Sequence, residues 1–179
     1  MKSHSSPNDW LPLVEAPALS FKPDVDWYLI ALGSNRAGPW GGPEQAVRRA
    51  LGLLDPVDSS RLIHTAALGP SKRRFVNAVA IIESDLAPPQ LLAKLKALER
   101  DAGRRLGQRW SARPLDLDVI GWSGGVHASP GLGIPHPHFR QRRFVLAPLT
   151  EIVPAWRDPL THFTARQLLA RLDRKRPRP

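Results

Sequence analysis

The run Phe75-Val-Asn-Ala-Val-Ala-Ile-Ile-Glu83 (FVNAVAIIE, 75–83) is apolar on both of its alternating faces, which makes it a central strand. Its neighbours follow from the same alternation. Residues 27–33 (WYLIALG) form a short apolar run stopped by Gly-Ser-Asn, a buried first strand. Val57 to Thr65 is expected as a second strand, and Leu115 to Trp122 as a fourth, closed by a turn at Ser123-Gly124-Gly125. Between them lie two helices. Pro43 takes the favoured first-turn position ahead of a stripe of Ala46, Val47, Ala50, Leu51 and Leu54. Pro88 does the same ahead of Leu91, Leu92, Leu95 and Leu98, with Gly103 as the stop. Further on, Phe144 to Ile152 reads as a short helix. Thr164 and Gln167 form a capping-box pattern before a last amphipathic helix through Leu168, Leu169 and Leu172.

The order predicts an α+β fold: a ferredoxin-like βαββαβ core, its sheet antiparallel or mixed, its helices packed on one face, with extra elements at the C-terminal end. The expected organisation is a flexible extension over residues 1–26, a single domain over 27–172 and a basic tail over 173–179. At 179 residues the chain is long enough to bury a core without staples. The absence of cysteine excludes disulfides, thiolate metal sites and cysteine nucleophiles. No apolar run approaches the roughly 20 residues of a membrane span, so a cytoplasmic protein is expected, with no membrane partner.

The net charge of +10 points to polyanionic partners: nucleic acid, an anionic membrane or phosphorylated small molecules. Four of these charges, Arg174, Lys175, Arg176 and Arg178, belong to the tail. The remaining net charge belongs to the body, where cations cluster at Lys72-Arg73-Arg74, from Arg104-Arg105 through Arg109 to Arg113, and at Arg140, Arg142 and Arg143. Any one cluster could be a solvated face.

The fourth strand carries the chemistry. In Arg113-Pro-Leu-Asp-Leu-Asp-Val119 the two aspartates point one way, while Leu115, Leu117 and Val119 point into the core. Carboxylates about 7 Å apart on one face repel each other. A solvated edge tolerates that; a divalent cation turns it into a ligand pair. With oxygen ligands only, magnesium is the natural ion, completed by substrate phosphates. Arg104, Arg109 and Arg113 could clamp those phosphates. Metal-assisted phosphoryl transfer is the reading that results. His136 and His138 lack a third zinc ligand of suitable spacing, which leaves a phosphate donor or an ordinary loop residue. Asn77 must find partners within its strand or cost about 1–3 kcal/mol. It bonds backbone groups or offers donor and acceptor to a flat heterocycle, with Phe75 on the same face to stack on such a ring. Trp110 and Phe144 are core residues by default.

The segments ALGSN (31–35), LGP with FVNAV (68–79), LERDAGR (98–104), RWSARPLDLDVI (109–120) and IPHPHFRQRRFVLAPLTEI (134–152) together resemble the 6-hydroxymethyl-7,8-dihydropterin pyrophosphokinases of folate biosynthesis. The resemblance implies transfer of the diphosphate of ATP to a hydroxymethyl dihydropterin, with two magnesium ions held by Asp116 and Asp118. It implies catalytic roles for Arg104, Arg113, Asp116 and Asp118. Glu99, Arg104, Arg113, Ile120, His136 and Arg142 would line the ATP site, Glu99 beside the adenosine. Thr65, Leu68, Phe75, Asn77, Trp110 and Phe144 would hold the pterin. Phe75 stands where many members carry tyrosine, Gly131 where several carry arginine, and Ser71 to Arg74 is basic where members are often acidic or rich in glutamine and proline. A monomer with no nucleic-acid partner is expected. Two other readings stay open: a nucleic-acid-binding ferredoxin-like module, and a catalytically retired homologue.

Overall fold

The computed structural model describes residues 21–22, 25–66, 74–104 and 113–174. Leu68, Lys72, Arg73, Arg105, Arg109, Trp110, the chain before Phe21 and the tail after Arg174 lie outside the described residues. In chain order the elements are β1 (Asp26–Ser34), α1 (Pro43–Leu54), β2 (Asp58–Ser59), β3 (Ile63–Thr65), β4 (Phe75–Ser84), α2 (Pro88–Asp101), β5 (Asp116–Trp122), β6 (His127–Ser129), β7 (Leu132–Ile134), a 3-10 turn (Phe139–Gln141), α3 (Arg143–Ile152) and α4 (Ala165–Arg174).

One sheet runs β2-β4-β1-β5, with β3 also paired to β4, and every pairing is antiparallel. With β2 and β3 taken as one interrupted edge strand, this is the ferredoxin-like order. FVNAVAIIE sits where its composition requires, between β1 and the edge.

The expected continuous strand from Val57 to Thr65 is corrected to two short ones. Three residues, Ser60 to Leu62, span the gap between the Ser59↔Ala80 and Ile63↔Asn77 pairs, whereas β4 has two there. The surplus residue forces a break. Ser60 bridges it: its N–H donates to Val79 O (2.9 Å), and its hydroxyl accepts from Val79 N–H (3.0 Å). The β6–β7 hairpin was not foreseen, because three-residue strands carry too little alternation; Leu132 and Ile134 seal it onto the core.

The two sheet faces are covered separately. On one, Tyr28, Ile30 and Leu32 of β1, Leu115 just ahead of β5, and Leu117 and Val119 of β5 pack against Val47 and Ala50 of α1 and Leu91 and Leu95 of α2. The core helices thus lie on one face, as expected. The C-terminal elements cover the other, where Leu29, Val79, Ile81 and Ile120 meet Val145, Leu146 and Leu149 of α3 and Leu168 of α4. Three helices begin alike, with a glutamine reaching back to an orphan backbone donor. Gln45 accepts from Gly42 N–H (2.7 Å), Gln90 from Ala87 N–H (3.1 Å) and Gln167 from Thr164 N–H (2.9 Å). Thr164 alone returns the bond, from Gln167 N–H to its Oγ1 (3.1 Å). Among the described residues no helix is long and apolar enough to cross a membrane.

Candidate active site

The face under α3 and α4 changes character along its length. Following β1 from Leu29 through Ala31, the next residue on that face is Gly33, flanked by Asn77 on β4 and Asp116 on β5. Asp118 lies one pleat back, opposite Ala31. Both aspartates therefore share one face, opposite Leu115, Leu117 and Val119. A Cβ on Gly33 would come within 3.2 Å of Asn77 Oδ1, so the missing side chain leaves open floor between the carboxylates and the carboxamide.

Asp116 and Asp118 are about one quarter exposed. Asp116 Oδ1 accepts from Arg113 (2.6 Å) and Arg104 (2.9 Å), and Asp118 Oδ2 from Arg142 (3.1 Å). Among the described residues these bonds reach one oxygen of each carboxylate, leaving the other as a hard acceptor. His136 Nδ1 accepts the His138 N–H (3.1 Å), which puts the ring proton on Nε2, 3.7 Å from Asp118 Oδ2. Burial holds the His136 imidazole below its ordinary pKa. Asp118 works against that shift and Arg142 adds to it.

The sequence at the strand entrance explains how these groups are aimed. Ser34 and Asn35, both buried, latch the β5 lead-in. Ser34 Oγ donates to Pro114 O (2.6 Å), Asn35 Oδ1 accepts from Arg113 N–H (2.7 Å) and Asn35 N–H donates to Arg113 O (3.1 Å). Glu99 is 1% exposed and does not present a surface to a ligand. Its Oε1 accepts from Leu117 N–H (2.8 Å) and Lys96 Nζ (2.7 Å), and its Oε2 bonds Arg104. It thereby ties α2 to the backbone between the two aspartates and seats Arg104. Both oxygens are engaged inside the fold, which gives Glu99 a supporting position at the place where the resemblance sets it, near the adenosine. The side chain of Ile120 is fully buried in the second core, and its carbonyl accepts from His136 N–H (3.3 Å), which ties the strand to the His136 turn.

On the other flank, Asn77 is 3% exposed and donates from Nδ2 to Thr65 Oγ1 (2.9 Å). Among the described residues no donor reaches its Oδ1. In place of the backbone groups that were one of its two alternatives, its donor meets a side-chain hydroxyl on the edge strand. Phe75 begins β4 on the same face, half-buried, and Phe144 opens α3 with the Arg142 guanidinium 5.9 Å from its ring centroid. The structure brings together Thr65, Phe75, Asn77, Asp116, Asp118, Arg104, Arg113, His136 and Arg142 along one end of the sheet; Leu68 and Trp110 lie outside the described residues.

Ser34, Asn35 and Lys96 were assigned no role from sequence. The Gly-Ser-Asn after β1 and a lysine three residues before Glu99 on one helix face were the available signals.

The family profile described as 7,8-dihydro-6-hydroxymethylpterin-pyrophosphokinase matches residues 29–154. A Pseudomonas aeruginosa protein named 2-amino-4-hydroxy-6-hydroxymethyldihydropteridine pyrophosphokinase is 37% identical over 137 residues, covering 73% of this chain and 82% of its own length. A Synechocystis protein of the same name is 34% identical over 148 residues, covering 81% and 75%. Among solved structures, wild-type Plasmodium falciparum HPPK-DHPS with SDX-DHP aligns with a TM-score of 0.64 at 12% identity, over 88% of this chain and 46% of that one. At that identity the likeness is one of fold, and this chain spans less than half of the solved one.

Proposed function

The chain belongs to the 7,8-dihydro-6-hydroxymethylpterin-pyrophosphokinase family, and from that premise we propose that it moves the diphosphate of ATP onto the hydroxymethyl group of 6-hydroxymethyl-7,8-dihydropterin. The products are AMP and the pterin diphosphate, in tetrahydrofolate biosynthesis. The observation that carries the residue assignment is the row Asp116–Gly33–Asn77, which sets a carboxylate and a carboxamide two strand spacings, about 10 Å, apart on one face.

Each flank then has its task. Asn77 and Thr65 bind the polar edge of the pterin, and Phe75 and Phe144 hold its ring, with Leu68 and Trp110 as further contacts. The hydroxyl oxygen bonds to the β-phosphorus as the bond from that phosphorus to the AMP oxygen breaks. Arg104, Arg113 and Arg142 carry guanidinium donors beyond those spent on the aspartates, and these take the phosphate oxygens. His136, neutral with its proton on Nε2, donates without adding charge. Asp116 and Asp118 fit magnesium, each contributing a hard oxygen from the same face. Two such ions, bound with ATP, would neutralise charge across the phosphates and bring the hydroxyl to the β-phosphorus. Glu99 and Ile120 keep β5 and His136 in register with this arrangement. The domain is read as residues 27–172 acting as a monomer.

The nucleic-acid reading is disfavoured, because paired carboxylates on the open face repel a phosphate backbone. ATP, magnesium chloride and the hydroxymethyl dihydropterin mixed with the purified protein are expected to release AMP, and EDTA is expected to stop it. Release no greater than in a protein-free control would end the proposal; ATP binding without turnover would identify a retired homologue instead.

A further inference from the structure

The three arginines of Phe139-Arg-Gln-Arg-Arg143 diverge. Arg142 reaches Asp118, Arg143 reaches the exposed Asp173 (2.9 Å), and Arg140 turns away from the site. Its Nε donates to Asp158 Oδ2 (2.7 Å) and its second terminal nitrogen to Oδ1 (2.5 Å), a bidentate fork. Asp158 is fully buried. Thr161 Oγ1 also bonds its Oδ2, and Leu160 N–H donates to Oδ1 (3.3 Å). The loop holding Asp158 is closed on itself by His162 N–H to Asp158 O (2.8 Å) and Asp158 N–H to Phe163 O (3.0 Å), just ahead of the α4 cap.

The other partner, Arg140, lies in the middle of the turn that carries two site residues at its ends. Phe139 N–H donates to His136 O (3.2 Å) and Arg142 N–H to Phe139 O (3.0 Å), so one hydrogen-bonded turn carries both His136 and Arg142. Beneath the turn, Phe139 is fully buried against Trp156, ring centroids 5.8 Å apart, with the Arg140 guanidinium 4.6 Å above it.

We propose that Arg140 and Asp158 are a positioning pair for the phosphate side of the site: they fix the turn that aims His136 and Arg142 at Asp118. The inference rests on reading that cluster as the nucleotide site. Taking two charges out of water offsets most of their attraction, and apolar groups beside Phe139 and Trp156 could hold the core as well. What the fork adds is direction, since two parallel N–H···O bonds fix the guanidinium plane and with it the rotation of the turn. Neither residue touches the aspartates of the site.

A double-mutant cycle tests this by calorimetry of ATP with magnesium on the full chain. Asp158→Asn is expected to weaken ATP about tenfold, because small misplacements of contacting groups cost that order. In a His136→Ala/Arg142→Ala background the same change should cost less than about twofold. Equal losses in both backgrounds would show a general effect on the fold and overturn the proposal; so would an unchanged affinity in the single variant. Should Asp158→Asn fail to fold, Arg140→Lys carries the same cycle, since it keeps the charge and loses the fork; its loss, about threefold, should also vanish in that background. A wild-type protein that binds no ATP would instead remove the proposed function, and this pair's role with it.

Discussion

One sheet face has two halves that the backbone treats identically and the side chains do not. Leu29, Ile81 and Ile120 lie under α3 and α4, and Trp156 closes over Gly121. One or two pleats further along the same strands stand Gly33, Asn77, Asp116 and Asp118. The apolar half is stabilised by burial, roughly 25 cal/mol per Å². The polar half has to be partnered group by group, by Thr65, Arg104, Arg113 and Arg142. The proposed site lies on the polar half, because there a strand already fixed by its neighbours can present charges to a ligand.

The sharpest way to break this contrast is Asp118→Ala. AMP release should fall by about a hundredfold to a thousandfold, with a thermal midpoint close to wild type; a variant within a few-fold of wild-type turnover would leave the polar half without its function. Asn77→Leu comes next. The KM for the pterin should rise about tenfold to a hundredfold, the order of one or two lost hydrogen bonds, while ATP affinity holds.

Two glycines on this face sharpen the comparison. At Gly121 an added Cβ would lie 2.9 Å from the Trp156 ring and 3.1 Å from Leu29, whereas at Gly33 it would meet, among the described residues, only Asn77 Oδ1. Gly121→Ala should therefore cost about 1–3 kcal/mol of stability by overpacking, seen in denaturant unfolding, with turnover unchanged at low temperature. Gly33→Ala should leave stability nearly unchanged and raise the pterin KM a few-fold. Exchanged phenotypes would contradict the division.

The smallest effect is one of pH. Burial alone would raise the pKa of Asp158, but hydrogen bonds from Arg140, Thr161 and the Leu160 N–H, with the Arg140 charge, outweigh it and hold the carboxyl below its ordinary value. The unfolded chain thus binds the proton more readily. The pair's contribution is fully present above the unfolded value of about 3.9, and it is lost as pH falls through the lower folded one. In acid unfolding, Asp158→Asn should remove that step, so wild type and variant converge at the acid end; a gap that widens there would reverse the sign.

Much of this was legible beforehand where the physics is local. Alternation alone placed Asp116 and Asp118 on one face, and a proline or capping pair marked the starts of α1, α2 and α4. The edge strand was misread because a one-residue surplus at Ser60 leaves no trace in composition. That Glu99 supports the strand is not legible in the helix pattern, because Leu117 N–H takes its carboxylate only once β5 is laid against α2.

The sequence by itself determined the core order of strands and helices and the facing of the acids, since each depends on backbone geometry over a few residues. Only the tertiary structure decided which arginine meets which carboxylate. Arg140 and Arg142 differ by two positions, yet one is bound to Asp158, 18 residues on, and the other to Asp118, 24 residues back. An ion pair forms through distance and burial, and neither exists until the chain has packed.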